Sequence, residues 1–374
     1  MKAKPLQKNI PSGWKQVVLG DLASVTTGKR DANHGSPDGQ YPFFTCAQKI
    51  SRIDNFAFDT EAVLIAGNGD FNVKYYKGKF DAYQRTYILS DFKNTIGSFV
   101  YQKAKQALNE IIKNNQGSSV KFIKMSDLTD YPFLLPSIKE QQKIAEILET
   151  IDREIEKTDQ ILVATEKLKR GLMQQLFSRG IGHTKFKKTK IGEIPIAWDL
   201  KKLQYVCNFT TGRLNSNKAV EDGQYPFFTC AQETYQIDTY SFDQKAILLA
   251  GNNAAGKYSV KYFEGKFDAY QRTYVISVKD EKILDYYFLK EFLNTQLNEL
   301  RNYSVGTNTQ FLTIKLLNNL LMPLPDIDEQ KKITDILSSV NAKIFTNQKL
   351  KSKLALLKKG LMQDLLSGTK RVKV

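Results

Sequence analysis

The chain reads as α+β: two similar domains, each followed by a long helix, with the helices able to pair as an antiparallel coiled coil about a pseudo-two-fold axis. Three observations predict this. Residues 38–48, DGQYPFFTCAQ, return unchanged as residues 222–232, and residues 78–87, GKFDAYQRTY, return as residues 265–274. Two long stretches carry apolar residues stepping by four and three, the spacing of a helical seam. Each of these stretches is preceded by short apolar runs ending in glycine, as buried strands do.

The repeat continues beyond the identical blocks. Trp14 matches Trp198, 184 residues on, and Gly78 matches Gly265, 187 residues on. Solenoid repeats run roughly 20–50 residues, so this is a duplicated domain and helix. Ala62–Ala66 and Ala246–Ala250 read as buried strands, followed by Val73–Tyr76 and Val260–Phe263, then Thr86–Leu89 and Thr273–Ile276. Helical patches follow at Phe99–Ile112 and Leu284–Leu300.

A long helix then closes each half. Ser137 with Glu140, and Asp326 with Glu329, have the spacing of a capping box. The first seam is Ile144, Leu148, Ile151, Ile155, Leu162, Leu172 and Leu176, interrupted by Thr158, Thr165 and Lys169. The second is Ile333, Leu337, Val340, Ile344, Leu354, Leu361 and Leu365, interrupted by Asn347, Lys351 and Lys358. About 40 residues at 1.5 Å each make helices of roughly 60 Å. The expected organisation is a first domain over 1–136, a helix over 137–180, a solvated basic linker over 181–190, a second domain over 191–325 and a helix over 326–368.

Composition narrows the function. With 374 residues and a net charge of +16, the chain suits a polyanionic partner, nucleic acid first. Cys46, Cys207 and Cys230 have no CxxC spacing and read as buried free thiols of a reducing, cytoplasmic protein. No apolar stretch is long enough for a membrane span, and the first residues lack the apolar core of a signal peptide. The segment from Gly251 to Tyr258 nearly spells a P-loop, but Tyr258 stands where Ser or Thr should hold magnesium, and a strand follows instead of a helix. The only histidines, His34 and His183, have no repeat counterparts, so no His-based catalytic pair is built twice. No carboxylate spacing argues for a metal, so neither metal nor catalytic residue is expected.

The repeated polar residues suit reading. Arg85 and Arg272 can take guanine bidentately, Gln84 and Gln271 adenine, while Tyr83 and Tyr270 can hold phosphate. Thr45 with Gln48, and Thr229 with Gln232, flank a turn. Thr27, Lys29 and Arg30, with Thr211 and Arg213, offer backbone N–H groups and cations to phosphate. Asn68 and Lys74, with Asn252, Asn253 and Lys261, are expected on exposed loops after the buried strand. Ser118 and Ser119, with Thr307, Asn308 and Gln310, complete the candidate set. The competing reading of GKFDAYQRTY is a core hairpin with packed aromatics and its Arg paired to an Asp.

In this order the features resemble the specificity subunit of Type I restriction-modification systems. The resemblance rests on Trp14, Thr27-Gly28, Gln84-Arg85, Gly117-Ser118, Leu135-Pro136 with Glu140–Ala145, and Leu168–Phe177, each recurring in the second half. It implies two target-recognition domains, each binding half of a split sequence in double-stranded DNA, on helices that set the spacing and dock two modification subunits carrying S-adenosylmethionine. Two restriction subunits using ATP and magnesium would join for cleavage. This chain would hold no cofactor and do no bond chemistry. The assembled complex would be a DNA adenine methyltransferase and ATP-dependent endonuclease. Because the two domains are so alike, a nearly palindromic target is expected, with differences placed in the unlike loops Arg30–Pro37 and Leu214–Glu221 and in the loop that gains three residues, Asn68–Asn72 against Asn252–Ser259. The alternatives are a self-sufficient DNA-modifying enzyme, against which the missing motifs count, and a coiled-coil adaptor without a DNA role.

Overall fold

The computed structural model describes residues 10–113, 121–253, 258–304 and 310–373. The chain divides into two compact units, Met1–Gln160 with Lys349–Val374, and Ile161–Gln348. Each unit includes half of each long helix.

The first unit contains β1 (Lys15–Val18), α1 (Leu19–Leu22), β2 (Ser24–Thr27), β3 (Tyr41–Phe44), β4 (Ser51–Ile53), β5 (Phe58–Ala66), β6 (Val73–Ala82) and β7 (Thr86–Ser90). Then come α2 (Gly97–Lys113), α3 (Met125–Thr129), β8 (Pro132–Leu135) and the start of α4 (Ile138–Arg179). The second unit adds β9 (Phe186–Thr189), β10 (Gly192–Pro195), β11 (Asp199–Lys202), α5 (Leu203–Val206), β12 (Cys207–Thr211), β13 (Tyr225–Phe228), β14 (Tyr235–Ile237) and β15 (Phe242–Ala250). It continues through β16 (Asn252–Asn253), β17 (Val260–Ala269), β18 (Thr273–Val278), α6 (Tyr286–Asn302), β19 (Gln310–Phe311), α7 (Ile314–Asn319), β20 (Leu321–Leu324) and the start of α8 (Ile327–Ser367).

Each unit is built on a six-stranded sheet, ordered β2-β7-β5-β6-β3-β4 in the first and β12-β18-β15-β17-β13-β14 in the second. Pairing is antiparallel except for β3 with β6 and β13 with β17. The central strand β5 is buried on both faces, which is why it reads as an unbroken apolar run. Val63 and Ile65 face the helices, in a core with Trp14, Phe99, Ile144, Leu148, Leu365 and Leu366. Ala62 and Leu64 face the other way, onto Phe44, Phe80, Ala82 and Ile88. The second unit repeats this with Ile247 and Leu249 against Ala246 and Leu248.

The sheet curls until the end of β2 reaches the end of β6. β2 and β6 are three places apart in the order, yet Arg30 just beyond β2 bridges Tyr83 just beyond β6. GKFDAYQRTY is therefore not a hairpin: β6 and β7 flank β5, and the Tyr83–Arg85 turn connects them across the curl. The packed aromatics of that reading hold, since Phe80 and Phe267 are fully buried. Its ion pair does not. Asp81 is held by Arg30 at 3.2 Å, and Asp268 accepts from Ser241 Oγ at 2.8 Å.

The seams follow the predicted stripes. Every seam position named above, polar breaks included, is buried or half-buried. Thr158 and Thr165 return their hydroxyls to the carbonyls of Glu154 and Ile161, which satisfies them within the helix. In the first unit Lys358 pairs with Asp152, and Lys351 with Asp159 at 2.5 Å, so the two helical segments run in opposite senses.

The capping boxes form only by half. Glu140 N–H donates to Ser137 Oγ at 3.4 Å, and Glu329 N–H to Asp326 Oδ1 at 2.8 Å. The glutamate side chains do other work. Buried Glu140 accepts from Trp14 Nε1 at 3.2 Å and from Arg371 at 2.6 and 2.8 Å. Glu329 accepts from Trp198 Nε1 and Ile181 N–H, both at 2.8 Å, and lies 3.0 Å from His183 Nε2. The neighbouring Gln141 and Gln330, both fully buried, bind the backbone or side chains of the loops before α2 and α6. The repeated Glu-Gln pair thus fastens helix to domain. Residues 181–190 are correspondingly not a free linker: Ile181 and His183 dock on Glu329, and β9 pairs with β10 as a hairpin.

Lys103 on α2 gives this core a pH dependence. Its ammonium donates to the Leu366 carbonyl at 3.0 Å, and burial pushes its pKa from 10.5 down to about 8, against a smaller upward pull from Glu110. Between those values the unfolded chain binds the extra proton, so stability rises with pH there, and the cost of burying the charge is fully felt below about 8. Lys103→Met lacks this titration. In urea unfolding, the wild type should gain on the variant by about 3 kcal/mol between pH 7 and 10.5. A gap that stays constant with pH would show that Lys103 is not held this way.

Candidate nucleic-acid interface

One end of each curled sheet gathers the loops that carry most of the candidate residues, and backbone hydrogen bonds fasten them round the Tyr-Gln-Arg turn. Tyr83 N–H donates to Phe44 O at 2.9 Å, Gly67 N–H to Arg85 O at 2.8 Å and Gln84 N–H to Arg30 O at 2.9 Å. The second unit copies this: Tyr270 to Phe228 at 2.9 Å, Gly251 to Arg272 at 2.8 Å and Gln271 to Leu214 at 2.9 Å. The thiols of Cys46 and Cys230 also reach the Arg85 and Arg272 carbonyls. These two cysteines are half-buried loop residues, and only Cys207 is a core thiol, its pKa pushed up to about 12 by burial.

The turn presents Gln84, Arg85, Gln271 and Arg272 to solvent, with Tyr83 and Tyr270 half-buried beside them. Lys29, Arg30, Gln48, Arg213 and Gln232 are exposed too. Arg272 lies 4.8 Å over the Phe311 ring, which holds the guanidinium plane while leaving its edge for hydrogen bonds. Gln84 Nε2 donates to Asp31 Oδ1 at 2.8 Å, and Gln271 Nε2 to Asn215 Oδ1 at 2.9 Å.

Other candidates hold the loops in place. Thr45 and Thr229 are buried, and their hydroxyls accept from Ala47 and Ala231 N–H at 3.3 and 3.2 Å. Lys74 and Lys261 lie on β6 and β17, not on loops, and spend their ammonium groups on loop oxygens. Lys74 reaches Ala47 O at 2.7 Å, and Lys261 reaches Glu233 O at 2.8 Å. Burial draws both lysines below the ordinary value. Asn68 bridges Phe122, and Asn252 and Asn253 form β16 against β19, which contains the half-buried Gln310. Beside half-buried Thr27 and Thr211, the N–H groups of Gly28 and Gly212 are donated to Thr86 and Thr273 carbonyls, so they are not free for phosphate. Ser118, Ser119, Thr307 and Asn308 lie outside the described residues.

Sequence reasoning missed Asp31 and Asn215 as partners of the exposed glutamines. Their signal was present: they occupy the same place in the two copies, one residue after Arg30 and Leu214. Among the described residues, no group of three or more His, Cys, Asp or Glu is placed to hold a metal ion, and no helix is long and apolar enough to cross a membrane.

Two like units, each fastening exposed amide and guanidinium groups at one end of a curled sheet, define a duplicated binding protein. The chain belongs to the family described as the Type I restriction modification DNA specificity domain, whose sequence profile matches residues 11–165 and again 176–356. The EcoDI specificity subunit of Escherichia coli is 47% identical over 149 residues, covering 40% of this chain and 33% of its own length. The chain thus matches a third of that relative, whereas the MjaVIII specificity subunit of Methanocaldococcus jannaschii is 27% identical across 97% of this chain and 94% of its own. The fold is shared with the crystal structure of the Type I restriction-modification S subunit from M. genitalium, at a TM-score of 0.70 and 18% identity over 98% of this chain and 99% of that one.

Proposed function

We propose that this chain is the non-catalytic recognition subunit of a Type I restriction-modification complex, and that each unit reads one half of a bipartite, near-palindromic DNA target. The observation that carries this is the Tyr-Gln-Arg turn, fastened by the same backbone bonds in both units and exposing the same glutamine and arginine side chains. Family membership and the net charge of +16 support DNA as the ligand. The helices pair as an antiparallel coiled coil, set the distance between half-sites and dock two methyltransferase subunits. Those subunits supply S-adenosylmethionine, and two motor-nuclease subunits supply ATP and magnesium chemistry. Asp31, Arg30 and their counterparts Asn215 and Leu214 are where the half-sites differ.

The test is to co-express the chain with its methyltransferase subunits and map methylated sites across a genome. Two similar half-sites at a fixed spacing are expected. Arg85→Ala should relax one base of one half-site and Arg272→Ala one base of the other, each worth about 1–3 kcal/mol of discrimination. Deleting one heptad from both helices removes about 10 Å, so the spacer should shorten by about three base pairs. Methylation by the purified chain alone would overturn the non-catalytic assignment, and an unaltered spacer would sink the ruler.

A further inference from the structure

The exposed glutamines are held by different neighbours. Gln84 donates to the carboxylate of Asp31, and Gln271 to the side-chain amide oxygen of Asn215. The backbone of the turn is matched: the glutamine N–H groups are pinned at 2.9 Å to Arg30 and Leu214, and the turns share the sequence Tyr-Gln-Arg-Thr. Asp31 is itself fixed, its N–H donating to His34 Nδ1 at 3.1 Å, while Lys218 occupies the histidine's place in the second copy.

A carboxylate only accepts hydrogen bonds, whereas an amide both donates and accepts. Beside Asp31, Gln84 has one stable orientation: Nε2 towards the carboxylate, with the remaining N–H and Oε1 forming the outward edge. The reverse would set two oxygens against each other. Beside Asn215, both side chains can turn over together, Asn215 Nδ2 then donating to Gln271 Oε1. The order of donor and acceptor along the outward edge of Gln271 then reverses. Base edges in the major groove differ in that order.

We infer that Asp31 is a positioning residue that locks the Gln84 amide in one polarity, and that Asn215 leaves Gln271 free to take either. The first unit then accepts one base at the position its glutamine reads, and the second accepts two. This rests on the proposed role of the turn as the base reader.

The experiment compares Asp31→Asn, Asn215→Asp and Gln84→Ala in the complete methyltransferase complex, on a library of targets randomised at both half-sites. Asp31→Asn should raise methylation of a second base at one position of the first half-site by about fivefold or more, with the second half-site unchanged. Asn215→Asp should do the reverse, losing one of two tolerated bases in the second half-site. If Asp31→Asn instead raises methylation equally for all sequences, Asp31 acts only through its charge and the inference falls. If Gln84→Ala changes base preference but neither exchange does, the positioning role is wrong while the base-reading turn stands. If Gln84→Ala leaves every preference intact, the base-reading role of the turn is wrong, and the positioning role falls with it.

Discussion

Gly28→Ala is expected to open the first unit's sheet, while Gly171→Ala should stabilise the helix that carries it. All four glycines involved recur between the two copies, so sequence alone gives them equal standing. An added Cβ at Gly28 would lie 1.9 Å from the Ala82 carbonyl oxygen, and at Gly212 it would lie 1.7 Å from that of Ala269. In each case the obstacle is backbone at the end of β6 or β17, which cannot swing aside as a side chain end would. These glycines stand where the curled sheet meets itself, and separating the two backbones would break the bridge from Arg30 to Tyr83, or from Leu214 to Tyr270. The expected loss is more than about 4 kcal/mol, or failure to fold. The Tyr-Gln-Arg turn would be lost with it. Gly171 and Gly360 sit inside α4 and α8 with no obstacle within 4 Å. There glycine costs about 0.5–1 kcal/mol relative to alanine. Urea unfolding, with hydrogen exchange to report which unit opens, separates the two cases. A Gly28→Ala chain with wild-type protection in β2 and β7 would refute the account of the closure.

Removing residues 368–374 should destabilise the first unit by several degrees and spare the second. The tail carries Arg371, which holds both oxygens of Glu140 and also donates to the Ser12 carbonyl at 2.7 Å. Without it, the 2%-exposed Glu140 keeps its Trp14 partner but no cation. An unpaired buried carboxylate is costly because water can no longer solvate it. Glu140→Gln removes that charge, so it should recover part of the loss in the truncated chain while costing stability in the full chain. The measurement is two-probe thermal unfolding, with Trp14 and Trp198 reporting separately after single Trp→Phe replacements. A truncated chain that melts like the full one, or a loss shared equally by both units, would contradict the assignment.

Much of the fold could be read from the residues because local and global signals agree. The stripe from Ile144 to Leu176 is buried or half-buried at every named position, and the apolar run Ala62–Ala66 is the doubly buried central strand. The curl was not legible. Strand periodicity says which residues face a core, but not that β6 and β7 both border β5. A segment with the composition of a hairpin therefore became a connection across the sheet. The roles of Lys74, Lys261, Thr45 and Thr229 were hidden for a related reason. Residue type shows that a cation or hydroxyl is available, whereas only geometry shows that a loop carbonyl or N–H has already taken it. Glu140 and Glu329 were read locally as caps, because their spacing fits, although their partners Trp14 and Trp198 lie more than a hundred residues away.

The placement of Arg371 has a consequence for biosynthesis. Gly180 and His183, just after α4, complete the second unit's anchor, while Gly368 and Arg371, just after α8, do the corresponding work for the first. The first unit also needs the helical segment from Lys349 onward. The first unit therefore cannot be finished until the segment through Arg371 has been translated. The second unit, made later, has all its parts by Gln348 and can close sooner. Translation halted between Gln348 and Arg371 would leave the second unit whole and the first without its anchor.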